Sequence, residues 1–231
     1  METGYDRRRF VQLTAVAGAA VALGRAPDGV MGQSLDEREE GLDFFEVVGS
    51  RRSVRKFKDL PVPEEDLRRI LDAARMAPTS GNQQPWKFLV VRNRVTLDRI
   101  GETCIERSIA AREARQGSVT PEQAEGVRQY FSDYLSAPVY VVVLTDNQSR
   151  YPTYNHWDGP LAAGYLMLAA RALGYGTVFA TDSVPEEVTR EVLSIPDRYT
   201  RVCFTPIGVP EAWPDSPEKK ALEEFIVREG F

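Results

Sequence analysis

The chain has 231 residues, of which 42% are hydrophobic, which is enough to form one sizeable core in a single domain. Its formal net charge is -5 and charges of both signs are interspersed, so the sequence does not indicate a nucleic-acid partner. The two cysteines, Cys104 and Cys203, are too few for a disulfide framework, and with the one histidine, His156, they do not form the ligand pattern of a zinc site. We expect Cys203, which lies in an apolar run, to be a buried structural thiol.

The first 40 residues differ in composition from the rest of the chain. Arg7 and Arg8 are followed by Phe10 and then by a weakly hydrophobic run rich in alanine and glycine, residues 13–24. This pattern resembles a twin-arginine export signal, and the apolar run is too short to span a bilayer. We therefore expect an export signal and flexible leader in residues 1–40, one domain in residues 41–231, and a periplasmic or other extracytoplasmic location. The alternative is an extension without signal function, which would leave the protein in the cytoplasm.

Helical and strand-like patterns alternate along the rest of the chain. Helices are predicted where apolar residues recur at helical spacing, at residues 42–49, 64–77, 96–115, 121–134, 161–173 and 185–193. Short β-branched or apolar runs predict strands at residues 88–91, 139–144, 177–181 and 202–208. Thr120 and Gln123 form a capping-box pattern at the start of the fourth helix. The fifth helix is apolar on most sides, so we expect it to lie between the sheet and a partner subunit.

Two short segments carry the chemistry. The arginine segment, residues 51–57, places three guanidinium groups and the Ser53 hydroxyl within five residues, and guanidinium matches the geometry of phosphate oxygens. The proline–tryptophan loop, residues 78–86, is a run of small, polar, turn-forming residues that closes in a Pro-Trp pair. Its amide and hydroxyl groups suit the polar edge of a heterocycle. Together the two segments predict a site for flavin mononucleotide (FMN).

The order of these segments resembles the nitroreductase family of flavin enzymes. The runs at residues 172–177 and 206–210 also match the family pattern, so the resemblance extends from Phe44 to Val227. It implies an α+β fold with three α/β/α layers, in which helices flank a central, mostly antiparallel sheet. It also implies an intertwined homodimer with two shared FMN sites.

The resemblance assigns cofactor contacts within one subunit to the arginine segment. Arg51, Arg52 and Ser53 resemble ligands of the phosphate and the ribityl chain. Arg55 lies where the family keeps a cation near the pyrimidine edge of the flavin, although an ordinary surface arginine is the alternative. Beside Arg51 and Arg52, charge complementarity favours the functional interpretation.

The proline–tryptophan loop is expected to reach the flavin that is held mainly by the other subunit. The matching residues are Pro78, Thr79, Ser80 and Asn82. Asn82 and Gln84 would form hydrogen bonds to the ring or to the ribityl edge, whereas Trp86 would pack below the site.

Further along the chain, residues 180–182 match a position beside the flavin N5. There Thr181 would contribute its amide or hydroxyl, with Asp182 next to it. Lys219 or Lys220 lies where family members add a basic residue to the phosphate site, although the spacing departs from the commonest pattern. The tail, residues 210–231, either extends across a neighbouring subunit or packs on its own chain.

In this family the middle region often forms a lid over the flavin. Tyr130, Phe131 and Tyr134 would then present their rings to a flat substrate. Inward packing of the three aromatic rings is the alternative, and it is the one that helical spacing favours.

The resemblance implies an oxidoreductase in which NAD(P)H and a small aromatic acceptor, such as a nitroaromatic or a quinone, alternate at one flavin face with ping-pong kinetics. Arg55 and Thr181 are the residues expected to tune the flavin. Reduced nicotinamide is scarce outside the cytoplasm, and Thr181 near N5 would favour one-electron chemistry. A reductive dehalogenase resembling iodotyrosine deiodinase is therefore a second interpretation, and a flavin-binding scaffold without turnover is a third.

Overall fold

The computed structural model describes residues 42–230. Its helices are α1 Phe44–Ser50, α2 Glu64–Ala74, α3 Arg94–Gln116, α4 Pro121–Tyr134, α5 Asn155–Ala172 and α6 Glu186–Val192. Its strands are β1 Trp86–Val91, β2 Val139–Asp146 and β3 Tyr199–Ile207. The twin-arginine-like signal and leader predicted in residues 1–40 lie outside the described residues. Within residues 42–230, no helix is both long enough and apolar enough to cross a membrane.

The strands form one antiparallel sheet in the order β1, β2, β3, so β2 is central. Phe88 on β1 lies opposite Val143, and Val142 lies opposite Phe204 on β3. β2 is buried from its start through Thr145, because its β-branched side chains pack on both faces of the pleated sheet. The antiparallel sheet that the resemblance implies is thereby confirmed.

Helices cover both faces of this sheet. On one face, Tyr140 and Val142 share an apolar core with residues of α3, α4 and α6. On the other face, Val141 and Val143 pack with residues of α2 and α5. Successive residues of a strand point to opposite faces, so one continuous apolar strand supplies both cores. The predicted arrangement of three layers is confirmed, and Cys203 is buried in the second core as expected.

The strand predicted at residues 177–181 is wrong, because this segment is not a regular strand. Thr177 pairs singly with Ser53, and Ala180 O accepts a hydrogen bond from Phe204 N at 2.9 Å. The backbone thus bonds to the arginine segment at one point and to β3 at another. Since the two contacts lie on different neighbours, no continuous ladder forms.

Helix α5 begins at Asn155, before the predicted start at Leu161. Pro160 lies inside it and removes one backbone hydrogen bond, which is why the sequence pattern indicates a later start. The turn ahead of Pro160 is fixed instead by side chains. Asn155 is buried, and its Nδ2 donates to Asp146 O at 2.9 Å.

The C-terminal tail, residues 211–230, is exposed along its length in the single chain. Where it leaves the domain, the guanidinium carbon of Arg171 lies 4.1 Å from the centre of the Trp213 ring. Leu222 and Phe225, in a short 3-10 turn, are 66% and 68% exposed. The apolar residues of the tail therefore remain available to another surface.

Candidate functional site

The arginine segment is held by its backbone and by two buried apolar side chains. Val54 N donates to Thr177 O at 2.9 Å, and Lys58 N donates to Val209 O at 2.9 Å. Val54 and Phe57 are buried in the core beneath the segment. Arg55 and Lys56, which lie between these two buried residues, are exposed.

Two glycines allow this segment to approach the rest of the domain closely. A Cβ atom at Gly176 would lie 2.7 Å from Val54 Cβ, and one at Gly208 would lie 2.9 Å from Phe57 Cδ1. Such contacts are too short for a methyl group, so both positions require glycine. Close backbone approach is thus the physical reason for glycine in two of the runs that carry the family resemblance.

The four polar residues predicted from this segment differ in their exposure. Arg51, Arg52 and Ser53 are half-buried, whereas Arg55 is exposed. Arg52 Nη1 donates to the carbonyl oxygens of Gly49 and Arg51, at 2.8 Å each. Arg55 Nη1 donates to Ser53 O at 3.4 Å. Their roles toward a phosphate and a flavin stay predictions.

The proline–tryptophan loop has an unusual backbone. Gly81, Asn82 and Gln84 have φ angles of 56°, 52° and 48°, in the left-handed region where residues other than glycine are strained. Thr79 Oγ1 accepts from Gln84 N at 3.2 Å, and Gln84 Nε2 donates to Asn82 Oδ1 at 3.1 Å. Trp86 is buried at the end of the loop. The loop residues predicted to contact the cofactor are all exposed or half-buried: Pro78, Thr79, Ser80, Asn82 and Gln84.

Polar residues that the sequence patterns did not single out hold the loop from its inner side. Gln83 Nε2 donates to Asp158 Oδ2 at 2.7 Å, and Ser80 N donates to Asp158 Oδ1 at 3.2 Å. Asp158 and the neighbouring Asn155 are both buried. No local signal indicates this network, because Gln83 and Asp158 are 75 residues apart in the chain.

The segment predicted to lie near N5 is held by an arginine of the sheet. Arg201 Nη2 donates to Thr181 O at 2.5 Å, and its Nη1 donates to Val184 O at 2.8 Å. Burial lowers the pKa of Arg201, although a guanidinium keeps its charge in proteins. Thr181 Oγ1 donates to Asp182 Oδ2 at 3.1 Å, and these side chains line a cleft of about 410 Å³ with Arg201. Sequence patterns missed Arg201, which precedes the predicted strand.

The aromatic residues of α4 divide between the core and the surface. Phe131 and Tyr134 are buried, which confirms inward packing for these two rings. Tyr130 is 49% exposed and stacks on Tyr134, with ring centres 6.2 Å apart. The Lys56 Nζ of the arginine segment lies 3.3 Å from Asp133 Oδ2, so α4 is tied to that segment. Only Tyr130 is placed to present a ring at the surface.

The two candidate lysines lie in the exposed tail. Lys220 Nζ is 3.6 Å from Glu224 Oε2, and Lys219 is also exposed. Within one chain, the arginine segment and the proline–tryptophan loop are each held by separate neighbours. The assignment of the lysines and of the loop to a shared cofactor stays a prediction that involves a second subunit.

Comparisons with known proteins agree with the fold and with the order of the segments. The profile of the Nitroreductase family matches residues 48–209. A "Putative NADH dehydrogenase/NAD(P)H nitroreductase" of Methanothermobacter thermautotrophicus is 30% identical over 202 residues, which are 83% of this chain and 92% of the relative. The iodotyrosine deiodinase of Thermotoga neapolitana is 30% identical over 187 residues, 80% of this chain and 96% of the relative.

A solved structure gives the same result. An oxidized iodotyrosine deiodinase bound to FMN and 3-iodo-L-tyrosine superposes with a TM-score of 0.64 at 25% sequence identity, covering 82% of this chain and all of that chain. The family profile spans both segments of the candidate site as well as Thr181. The chain therefore belongs to the nitroreductase family.

Proposed function

We propose that this protein is an FMN-dependent oxidoreductase that passes electrons from NAD(P)H to a flat, electron-poor acceptor such as a nitroaromatic or a quinone. The observation that carries the proposal is the way in which the fold holds the backbone of the arginine segment. Buried Val54 and Phe57, with glycine at positions 176 and 208, fix the backbone of the segment, and Arg51, Arg52 and Ser53 beside these anchors stay partly exposed. Guanidinium and hydroxyl groups in that arrangement suit a phosphate ester.

FMN supplies two-electron chemistry at N5 when it is bound. Arg55 would place positive charge against the negative charge that reduction leaves around N1 and O2. Thr181 would offer its amide or hydroxyl to N5, and Arg201 holds the Thr181 carbonyl in place. NAD(P)H and the acceptor would then alternate at one open face, with ping-pong kinetics.

The proposed site requires a homodimer, because the proline–tryptophan loop would serve the FMN of the other subunit. Exposed apolar side chains on two helices that contact each other support this assembly, since single domains rarely expose so many large apolar groups together. They are Phe44, Phe45 and Val48 on α1, and Trp157, Leu161 and Tyr165 on α5. The exposed tail would add to the same interface and bring Lys219 or Lys220 toward a phosphate.

Reductive dehalogenation of a halogenated tyrosine is the second candidate function. It is favoured by the similarity to two iodotyrosine deiodinases, and a Thr181 hydroxyl beside N5, as predicted, would favour one-electron chemistry. Both reactions consume electrons from the reduced flavin, so an exported enzyme of either kind would need a donor other than NAD(P)H.

The test is anaerobic reduction of the purified full-length protein followed by reoxidation. The proposal predicts a yellow protein whose flavin absorbance bleaches with NADPH or NADH and recovers at once with a nitroaromatic or a quinone. Recovery with 3-iodotyrosine alone would favour the dehalogenase, and bound flavin that neither donor reduces would favour a scaffold without turnover. A protein that binds no FMN would overturn the proposal.

A further inference from the structure

The proline–tryptophan loop is fixed from below by one buried carboxylate. Asp158 lies in the first turn of α5 and is 4% exposed. Its Oδ1 accepts from Ser80 N at 3.2 Å, and its Oδ2 accepts from Gln83 Nε2 at 2.7 Å. A carboxylate has two acceptor oxygens, so Asp158 binds the backbone and a side chain of the loop at once.

Gln83 carries this connection to a second part of the chain. Its Oε1 accepts from Tyr151 N at 2.7 Å, and its Nε2 also donates to Tyr151 O at 3.1 Å. The Gln83 amide thus joins the loop to the backbone at Tyr151 and to the start of α5. The Tyr151 ring lies over Gly81, where an added Cβ atom would be 2.6 Å from Tyr151 Cε2.

The loop needs such support because its backbone is strained. Gln84 adopts a φ angle of 48°, which a residue other than glycine or asparagine keeps only where the surroundings enforce it, whereas Asn82 tolerates its φ angle of 52° at lower cost. Asn82 and Thr79 are also residues that the proposed function directs toward FMN. A loop that relaxed in the uncomplexed protein would have to be ordered again whenever the cofactor binds.

We infer that Asp158 is a positioning residue for FMN, which acts through Ser80 and Gln83 to keep the loop in its binding conformation. The inference rests on the proposed FMN site and goes beyond it, because Asp158 itself would not touch the cofactor. A role in stability alone would predict that loss of Asp158 weakens folding without a separate effect on FMN.

The first variant is Asp158→Asn, which keeps the shape of the side chain. It replaces one carboxylate oxygen with an NH₂ group, which would then face the N–H of Gln83 or of Ser80. We expect the apparent FMN dissociation constant, measured by flavin fluorescence quenching on the full-length protein, to rise about 10- to 100-fold as the loop leaves its competent state. The visible spectrum of the bound flavin should shift as well. Gln83→Met, which removes the amide but keeps the Asp158 bond to Ser80, should act in the same direction with a smaller effect.

The decisive variant is Gln83→Glu in the Asp158→Asn background. The side-chain amide introduced at position 158 would then donate to the carboxylate introduced at position 83, which would still accept from Tyr151 N but would lose the bond to Tyr151 O, because both oxygens are acceptors. We expect the FMN affinity to recover in part, to above that of Asp158→Asn alone, a coupling that independent stability effects would not produce. The matched control is Tyr175→Phe, which removes a buried hydrogen bond of 2.6 Å to Asp66 on α2. It should lower stability without changing FMN affinity.

The outcomes are distinct. Wild-type protein that does not bind FMN would overturn the proposed function itself. Wild-type protein that binds FMN, together with an Asp158→Asn variant of equal affinity and unchanged spectrum, would overturn only the positioning role. A double variant whose FMN affinity is no higher than that of Asp158→Asn alone would likewise overturn it in favour of a purely structural role.

Discussion

The arginine segment and the proline–tryptophan loop are both candidate cofactor contacts, but they are held in different ways. The arginine segment is fixed by backbone hydrogen bonds and by two buried apolar anchors, Val54 and Phe57. The loop is fixed by polar side chains, among them Thr79 and Gln83, and its backbone is strained. In the first, the buried anchors are separate from the residues that would bind the ligand, although Arg52 also donates to two local carbonyl oxygens. In the second, the two sets overlap.

This difference has a consequence for mutagenesis. Charged side chains of the arginine segment should be removable with little effect on folding, because Val54 and Phe57 would remain in place. In the loop, a change that alters ligand contacts also alters the loop conformation. The comparison is therefore tested by measuring FMN affinity and the free energy of unfolding on the same variants.

The largest effect is expected for Arg51→Ala combined with Arg52→Ala. Loss of two charge-assisted contacts should weaken FMN binding by about 3–6 kcal/mol, roughly 100- to 20,000-fold, and leave a folded, colourless protein. Circular dichroism and FMN titration check the two parts separately. Arg68→Ala combined with Arg99→Ala removes the same charge at exposed positions on α2 and α3 and should leave the protein yellow. Full retention of FMN by the first pair would refute the phosphate assignment.

A second prediction concerns the close packing of Gly176 against the arginine segment. Gly176→Ala places a methyl group 2.7 Å from Val54 Cβ, so the free energy of unfolding should fall by about 1–3 kcal/mol. FMN affinity should fall with it, since the segment must move. Gly126→Ala, at an open position inside α4, should instead stabilise the protein by about 0.5–1 kcal/mol in urea unfolding. Equal stability of the two variants would mean that the close approach is not needed.

How far the sequence predicts this structure depends on the range of the interactions involved. Helix α4 begins as predicted because its signal is local, with Thr120 Oγ1 accepting from Gln123 N at 3.3 Å and Gln123 Oε1 accepting from Thr120 N at 3.0 Å. The continuous apolar run of β2 likewise predicts a central strand. These elements depend on neighbours a few residues away.

Features that depend on distant partners were missed or wrong. Thr177 is a β-branched residue of a type common in strands, but it forms only a single bridge, with Ser53, which is far away in the sequence. Asp158 lies ahead of the helix predicted at residues 161–173, and only the fold brings it to Gln83. The family resemblance located residues that would touch the cofactor, whereas the residues that support them are set by tertiary contacts.

A third prediction tests whether the loop conformation matters for the ligand beyond its cost in stability. Gly81→Ala imposes a left-handed alanine, which costs about 1–2 kcal/mol, and its Cβ atom would be 2.6 Å from Tyr151 Cε2. Gly117→Ala is a matched control, because its φ angle is also positive, at 85°, and nothing lies within 4 Å. Both variants should lose stability, Gly81→Ala the more because of its contact with Tyr151, but only Gly81→Ala should weaken FMN binding. Equal FMN affinity in the two variants would contradict the importance of the loop.

The smallest effect is a pH dependence that reports on the core beneath the arginine segment. Cys104 shares that core with Val54 and Phe57, and burial raises its pKa to about 12; the pKa of Cys203 is also raised to about 12. The unfolded thiols ionise near pH 8.5, so the unfolded state releases protons that the folded state keeps, and stability falls as the pH rises. Between pH 8.5 and 9.5 the loss should be about 1 kcal/mol per thiol in urea unfolding. Cys104→Ala should halve the change in the free energy of unfolding with pH. If that change stayed the same, or if a native thiol reacted with a thiol reagent at pH 8, the core under the segment would be open to solvent.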